Sequence, residues 1–256
     1  MNQRTRKTAA VAGTAEAAEL AEQAASVIDQ VDRFFDGVFA PLEDWLPRLQ
    51  AQLGNRLAQG ALTGAQLVAL TEAESHAVLA TPDRPIYGAG YCATGAIVTE
   101  GNPLAWWQGA DRSLLASSTF GPGQAAIDLH RLEWYRVPAE SLERHVAGPF
   151  VDYLCSNEIT VTVSLPVMLG GEFSGVVCAD VLVSSLEQLL LPAVAGLGEA
   201  ALVNASGRVV VSADAAYETG DRYAGVGPEA DFDALGDAVR VVRSTRYPFA
   251  LLVPTP

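Results

Sequence analysis

The stretch that decides the fold runs from Glu158 to Leu191 and reads EITVTVSLPVMLGGEFSGVVCADVLVSSLEQLLL. In its first part, Ile159 to Val167, large apolar residues alternate with threonine and serine. That period of two predicts a half-buried strand with one apolar face and one face of small hydroxyls. The pair Gly170-Gly171 then offers the positive φ angles of a tight turn, so a hairpin is predicted.

The return strand is predicted to end at Asp180 and to place that residue on a face of mostly small side chains. Ser184 and Glu187 have the spacing of a capping box and are followed by leucines at helical intervals. The predicted order is therefore strand, turn, strand and helix.

Composition limits the function classes. The chain has 256 residues, of which 50% are apolar, so it can bury a substantial core. A net charge of −14 argues against nucleic acid and anionic lipid as partners. No window is apolar enough for a membrane span and residues 1–13 do not resemble a secretory signal, so a cytoplasmic location is expected. Cys92, Cys155 and Cys178 are expected to be buried free thiols rather than disulfide or zinc ligands.

Upstream, a helix is predicted from about Ala15 to Leu53, with Pro41 and Pro47 kinking or breaking it. Its apolar stripe fits packing against the domain body, and a dimer seam is the alternative that stays open. A second helix is predicted from Thr63 to Ala80. An antiparallel meander follows, with strands predicted at Ile86–Ala93, Ala96–Thr99, Leu104–Gln108 and Leu114–Phe120.

Downstream, Asn204-Ala205-Ser206-Gly207 predicts a hairpin turn, followed by a short helix at Phe232–Ala238 and a strand pair at Val239–Arg243 and Phe249–Val253. This segment is either a second small sheet or the far edge of the first. We divide the chain into a disordered terminus at 1–13, a main domain at 14–198 and a small C-terminal αβ extension, or continuation of that domain, at 199–256.

The sequence contains no strong catalytic motif. Gly88 to Ala93 matches G-x-G-x-x-A, but strand-like residues follow it, so we interpret its glycines as relief of a crowded strand. No nucleophile elbow is present, and His76, His130 and His145 lack the spacing of a metal site. We expect no enzyme activity, no metal and no cofactor. An enzyme with Asp180 or Glu133 as general base remains an alternative.

Several segments together resemble the Cache (PDC sensor) family of small-molecule sensors. They are Glu133-Trp134-Tyr135, Asp152-Tyr153, the strand Thr160–Val167, the arm Gly171–Val177 with Asp180-Val181, and the hairpin Asn204–Val211. The resemblance covers roughly residues 20–215. It implies an α+β fold in which a long N-terminal helix packs on an antiparallel, PAS-like sheet, with a small C-terminal extension.

The resemblance also implies a ligand site. Trp134 and Tyr135 would wall the pocket, Asp180 would receive a ligand ammonium, and Arg131 and Tyr153 are further candidates. The family's amino-acid binders carry an arginine two residues before the tryptophan, where this chain has Leu132, with Arg131 one residue earlier. On an extended segment that offset turns the side chain to the opposite face, which favours an amine or another metabolite over an amino acid.

We therefore expect a ligand-binding sensor in signal transduction, free-standing, acting on a separate signalling partner and forming a homodimer through the N-terminal helix. The alternative in which Asp180 only caps a turn and the aromatic pair is core also stays open. In that case the chain is an interaction protein that docks a partner on its acidic helix.

Overall fold

The structure is a computed structural model that describes residues 3–115, 131–153, 156–227 and 230–255, with side chains from residue 17 onward. The chain divides into two compact units. One comprises Phe34–Ser185, and the other comprises Met1–Arg33 with Leu186–Pro256. The division predicted from the sequence, with a boundary after residue 198, stays a prediction.

The elements, in chain order, are α1 (Gln3–Leu57), β1 (Leu62–Thr63), α2 (Gly64–Leu79), β2 (Ile86–Ala93), β3 (Val98–Glu100), β4 (Leu104–Gln108), β5 (Ser113–Leu114), α3 (Glu133–Ser141), β6 (His145–Val151), β7 (Ile159–Leu169), β8 (Glu172–Leu182), α4 (Val183–Ala195), β9 (Ala201–Asn204), β10 (Val209–Ser212), a 3-10 helix (Asp233–Ala238), β11 (Val239–Arg243) and β12 (Phe249–Pro254). None of the described helices is long and apolar enough to cross a membrane.

The main unit is built on a six-stranded antiparallel sheet with the order β5-β4-β2-β8-β7-β6. The predicted α+β class with an antiparallel sheet is confirmed. β7 and β8 form the predicted hairpin, but β8 continues past Asp180 to Leu182. Asp180 therefore lies within a central strand, with β2 on one side and β7 on the other, and not at a strand end.

Helix α1 is continuous from Gln3 to Leu57, although it contains Pro41 and Pro47. The predicted break is wrong. Leu42, Trp45 and Leu49, close to the two prolines, are fully buried, and this packing outweighs the lost hydrogen bonds. The helix also includes residues 3–13, which were predicted to be disordered.

Helix α2 begins as predicted. Thr63 accepts a hydrogen bond from the backbone N–H of Gln66 at 3.3 Å, and the Gln66 side chain accepts one from the Thr63 N–H at 2.9 Å, which completes a capping box. The helix packs on β2 and β4, where His76 meets Trp107 edge to face at 5.8 Å. Because α2 covers one face of the sheet, the opposite face is left for α3, which contacts β6, β7 and β8.

The C-terminal strands form their own four-stranded antiparallel sheet with the order β10-β9-β12-β11. The turn after β9 forms where it was predicted, since Asn204 Oδ1 accepts from the backbone N–H of Ser206 at 3.0 Å and of Arg208 at 2.9 Å. Of the two alternatives left by the sequence, the structure has the second sheet.

Strands β2 and β4 approach each other closely at Gly90. A Cβ atom there would collide with the backbone oxygen of Ala105 and lie 3.0 Å from Cα of Trp106, whereas one on Gly95 would meet nothing within 4 Å. We expect Gly90→Ala to lower the free energy of unfolding by about 1–3 kcal/mol. Gly95→Ala, the matched control, should change it by no more than about 1 kcal/mol. Urea titration followed by indole fluorescence measures both, and equal midpoints would contradict this packing.

Candidate functional site

The sheet face that meets α3 gathers residues from four strands in register. Asp180 on β8 pairs with Thr162 on β7 and with Gly88 on β2. Two residues along, Cys178 pairs with Gly90, which in turn pairs with Trp106 on β4. Since alternate residues of a strand share a face, these side chains point to the same side of the sheet.

A cavity opens between this face and α3. Nine side chains line it: Cys92, Leu104, Trp106, Trp134, Phe150, Asp152, Thr162, Cys178 and Asp180. The space between their atoms is about 380 Å³ including the mouth, and the centre of a water molecule fits in only about 20 Å³ of it. The cavity is therefore narrow, with room for one or two waters.

Asp180 is the most unusual group in the cavity. Its side chain is 5% exposed, and its Oδ1 accepts a hydrogen bond of 2.6 Å from the Thr162 hydroxyl. Burial raises the pKa of Asp180 to about 8, the Thr162 hydrogen bond opposes that rise, and the charge of Asp152 adds to it. Asp180 is therefore largely protonated at neutral pH.

A second acid, Asp152, lies in the turn that follows β6. It is 6% exposed, and its Oδ2 accepts hydrogen bonds from the N–H of Ser156 at 3.2 Å and from the Ser156 hydroxyl at 3.4 Å. None of the described residues that line the cavity is basic. The acidic groups of the wall are therefore two carboxyls, which in their ionised forms favour a cation and disfavour an anion.

The two predicted aromatic residues meet edge to face at 6.1 Å, but they differ in burial and in whether they line the cavity. Trp134 is half-buried and lines the cavity. Tyr135 is 2% exposed and packs edge to face on Phe173 at 5.6 Å, in a buried cluster that also contains the wall residues Trp106 and Cys178. Both residues lie on the helix α3, where neighbouring side chains point about 100° apart. The predicted binding role thus has a geometric basis for Trp134, which lines the cavity, while the role of Tyr135, which packs against wall residues, stays a prediction.

Trp106 is a wall residue that the sequence analysis did not find. A Cβ atom on Gly88 would lie 2.5 Å from Cζ2 and 3.0 Å from Nε1 of its indole, so the ring lies over β2 where Gly88 and Gly90 have no side chains. The glycines of the G-x-G-x-x-A match thus serve close packing in a strand, as interpreted. The strand β4 was predicted, but its register against β2 has no signal in a single sequence.

Two other predicted site residues lie elsewhere. Tyr153 is 79% exposed and Arg131 is also exposed, and within the described part of the chain neither lines the cavity. Glu133, the alternative general base, is on the surface and its Oε1 lies 2.9 Å from Nε2 of His145. The ligand roles of Arg131 and Tyr153 stay predictions.

Two of the three cysteines line the cavity. Cys92 and Cys178 are free and buried, as predicted, and burial raises the pKa of both thiols. Cys155 and His130 lie outside the described residues.

Among the wall residues, Thr162 could have been predicted from the hydroxyl face of β7, whereas Phe150 and Cys92 could not. Among the described residues, no group of three or more His, Cys, Asp or Glu is placed to hold a metal ion.

Known protein structures match the chain over most of its length. The sensory domain of a Campylobacter jejuni chemoreceptor with isoleucine bound has a TM-score of 0.55 and 10% identity, covering 95% of this chain and 94% of that one. A Pseudomonas fluorescens chemoreceptor domain with L-valine has a TM-score of 0.54 and 15% identity, covering 93% and 96%. A Pseudomonas aeruginosa amino-acid chemoreceptor domain with GABA has a TM-score of 0.52 and 15% identity, covering 92% and 98%.

No family model matches the sequence, and no curated protein matches it either. At these identities the structural matches establish the fold. The chain has the fold of Cache (PDC sensor) sensory domains, as its resemblance implied.

The raised pKa of Asp180 has a consequence for stability. Its ordinary value is about 3.9, so between about pH 4 and pH 8 the folded protein binds more protons than the unfolded chain. This group therefore lowers the free energy of unfolding as pH rises, by up to about 1.4 kcal/mol per pH unit. We expect Asp180→Asn to gain stability over the wild type from pH 5 to pH 8. Urea titrations at each pH measure the free energy of unfolding of both proteins. The control is Glu172→Gln, which changes an exposed carboxyl on the same strand. If the free energies of the wild type and Asp180→Asn change with pH in parallel, the raised pKa of Asp180 is wrong.

Proposed function

We propose that the unit Phe34–Ser185 is a non-enzymatic small-molecule sensor domain for a cationic ligand, with Asp180 as the counter-ion of the ligand ammonium. The observation that carries the proposal is the carboxyl of Asp180, buried in a cavity with one hydrogen-bond donor, Thr162. A buried carboxylate without a cationic partner is costly, so an acid in a core would normally be replaced by an apolar residue. A cationic ligand supplies the missing partner.

Aromatic rings of the wall suit the same ligand. Trp134, Trp106 and Phe150 line the cavity together with the two acids. An ammonium group between a carboxylate and the faces of aromatic rings gains both an ion pair and a cation–π contact. The ligands in the structures that share this fold, isoleucine, L-valine and GABA, all carry an amino group.

Those three ligands also carry a carboxylate, for which this cavity offers little. The described wall has no basic side chain and Arg131 is outside it; the stretch 116–130, whose one basic residue is His130, lies outside the described residues. Asp152 would repel a ligand carboxylate. We therefore propose an amine without a carboxylate as the ligand class.

Signalling through a separate partner and a homodimer through α1 remain part of the proposal. The apolar residues of α1 from Ala24 to Leu53 are buried within the chain itself, so a dimer would use the remaining, more polar surface of the helix. Light scattering on the purified protein tests the dimer.

The narrowness of the cavity favours one second candidate, an interaction protein whose pocket is vestigial. The two candidates differ in what stabilises the protein. A sensor gains thermal stability from its ligand by mass action, whereas a protein with a closed, vestigial pocket does not respond to small molecules.

We expect aliphatic monoamines to raise the melting temperature more than amino acids or carboxylates of equal size do. Because cation binding requires the ionised form of Asp180, whose pKa is about 8, binding at pH 7 should release close to one proton. The affinity should then rise up to about tenfold per pH unit between pH 6 and pH 8. Calorimetry in two buffers of different ionisation enthalpy measures the released proton.

Asp180→Asn should abolish both the stabilisation and the proton release. The control is Glu172→Gln, which removes an exposed carboxyl from the same strand and should bind as the wild type does. Stabilisation by carboxylates alone, or undiminished amine binding by Asp180→Asn, would sink the proposal. No stabilisation by any of the three classes would favour the interaction protein.

A further inference from the structure

The indole N–H of Trp106 is a hydrogen-bond donor of the cavity that the ammonium site does not use. Trp106 is 5% exposed, and its Nε1 is buried with no hydrogen-bond partner among the described residues. A buried N–H without an acceptor costs free energy, and such groups in native proteins call for an explanation.

The position of this N–H is fixed by the strands beneath it. The ring occupies the space over Gly88 and Gly90, and its Nε1 would lie 3.0 Å from a Cβ atom on Gly88. Gly88 is the residue that pairs with Asp180 across β2 and β8. Cβ positions of paired residues are about 5 Å apart, so Nε1 of Trp106 lies within about 8 Å of the Asp180 Cβ atom.

We infer that the ligand carries, besides its cationic nitrogen, a neutral oxygen that accepts a hydrogen bond from Nε1 of Trp106. This inference rests on the proposed cationic ligand and specifies it further. Because Trp106 and Asp180 line the same narrow cavity, a small ligand that reaches both carries the oxygen a few bonds from the nitrogen, as in an ether or an ester of a small amino alcohol or amino acid. A neutral oxygen fits better than a carboxylate, because Asp152 and Asp180 line the same cavity.

Two amines of equal chain length test whether the ligand carries this oxygen. 2-Methoxyethylamine and butylamine have the same chain length, and the first has an ether oxygen where the second has a methylene. We expect the wild type to bind 2-methoxyethylamine about 3- to 10-fold more tightly, the worth of one neutral hydrogen bond. Trp106→Phe keeps an aromatic ring but removes the N–H, and it should bring the two affinities to within about twofold.

Trp134→Phe is the matched control, because Trp134 lines the same cavity. It should weaken both amines by a similar factor and leave their ratio unchanged. If instead Trp106→Phe leaves the ratio of the two affinities unchanged, or if GABA binds more tightly than 2-methoxyethylamine, the inference of a neutral oxygen is wrong. If neither amine binds the wild type at all, the proposed function itself fails, and the two failures are thus distinguishable.

NMR of the wild-type protein tests the same hydrogen bond without the risk that a variant misfolds. The chain has four tryptophans, so a spectrum of the ¹⁵N-labelled protein contains four indole N–H signals. The signal of Trp106 should move downfield with 2-methoxyethylamine and not with butylamine. Trp45 Nε1 is also buried without a described partner, but Trp45 does not line the cavity, so its signal is the internal control. Equal shifts of the Trp106 signal with both amines would overturn the hydrogen bond.

Discussion

The hydrogen bond from Thr162 to Asp180 is the interaction on which the site depends. Asp180 sits on the central strand β8, so the neighbouring strands, and not water, decide its surroundings. On the β7 side it has one hydroxyl, and on the β2 side it faces Gly88, which has no side chain. The acid is therefore kept neutral while the cavity is empty, and a cation can draw it into its charged form. A group in this state couples ligand binding to proton release.

This arrangement requires an irregularity in the hairpin that the sequence does not reveal. A regular turn at Gly170-Gly171 pairs Leu169 with Glu172, and continuing that register would place Val161, an apolar-face residue, opposite Asp180. The pairing shifts by one residue between Val167 and Met168, and Ser174 is the extra residue on β8. Its carbonyl accepts hydrogen bonds from Tyr91 Oη at 2.6 Å and from the N–H of Thr94 at 3.0 Å. The shift is thus stabilised by residues some eighty positions earlier, which local patterns cannot predict.

Local signals predicted what depends on local chemistry. The start of α2 at Thr63, the hydroxyl face of β7 and the turn at Asn204 are all present, because each involves residues only a few positions apart, whereas the helix predicted to be capped by Ser184 begins at Val183. The arginine argument also rests on local geometry. It assumed an extended segment at Arg131 and Leu132; Leu132 is extended and α3 begins at Glu133, so the argument stays a prediction. The register of β4, and with it Trp106, depends on pairing between strands and had no local signal.

The two faces of the sheet differ in a way that stability alone does not explain. The face against α2 is apolar, with Ala89, Val163, Ala179 and Val181 fully buried. The face against α3 buries Thr162, Ser164 and Asp180 instead, and leaves Ser164 Oγ without a described partner. Valines at these positions would fill the same space without desolvating polar groups, and they would make a more stable core. The polar groups of this face are the ones that the proposed ligand would contact.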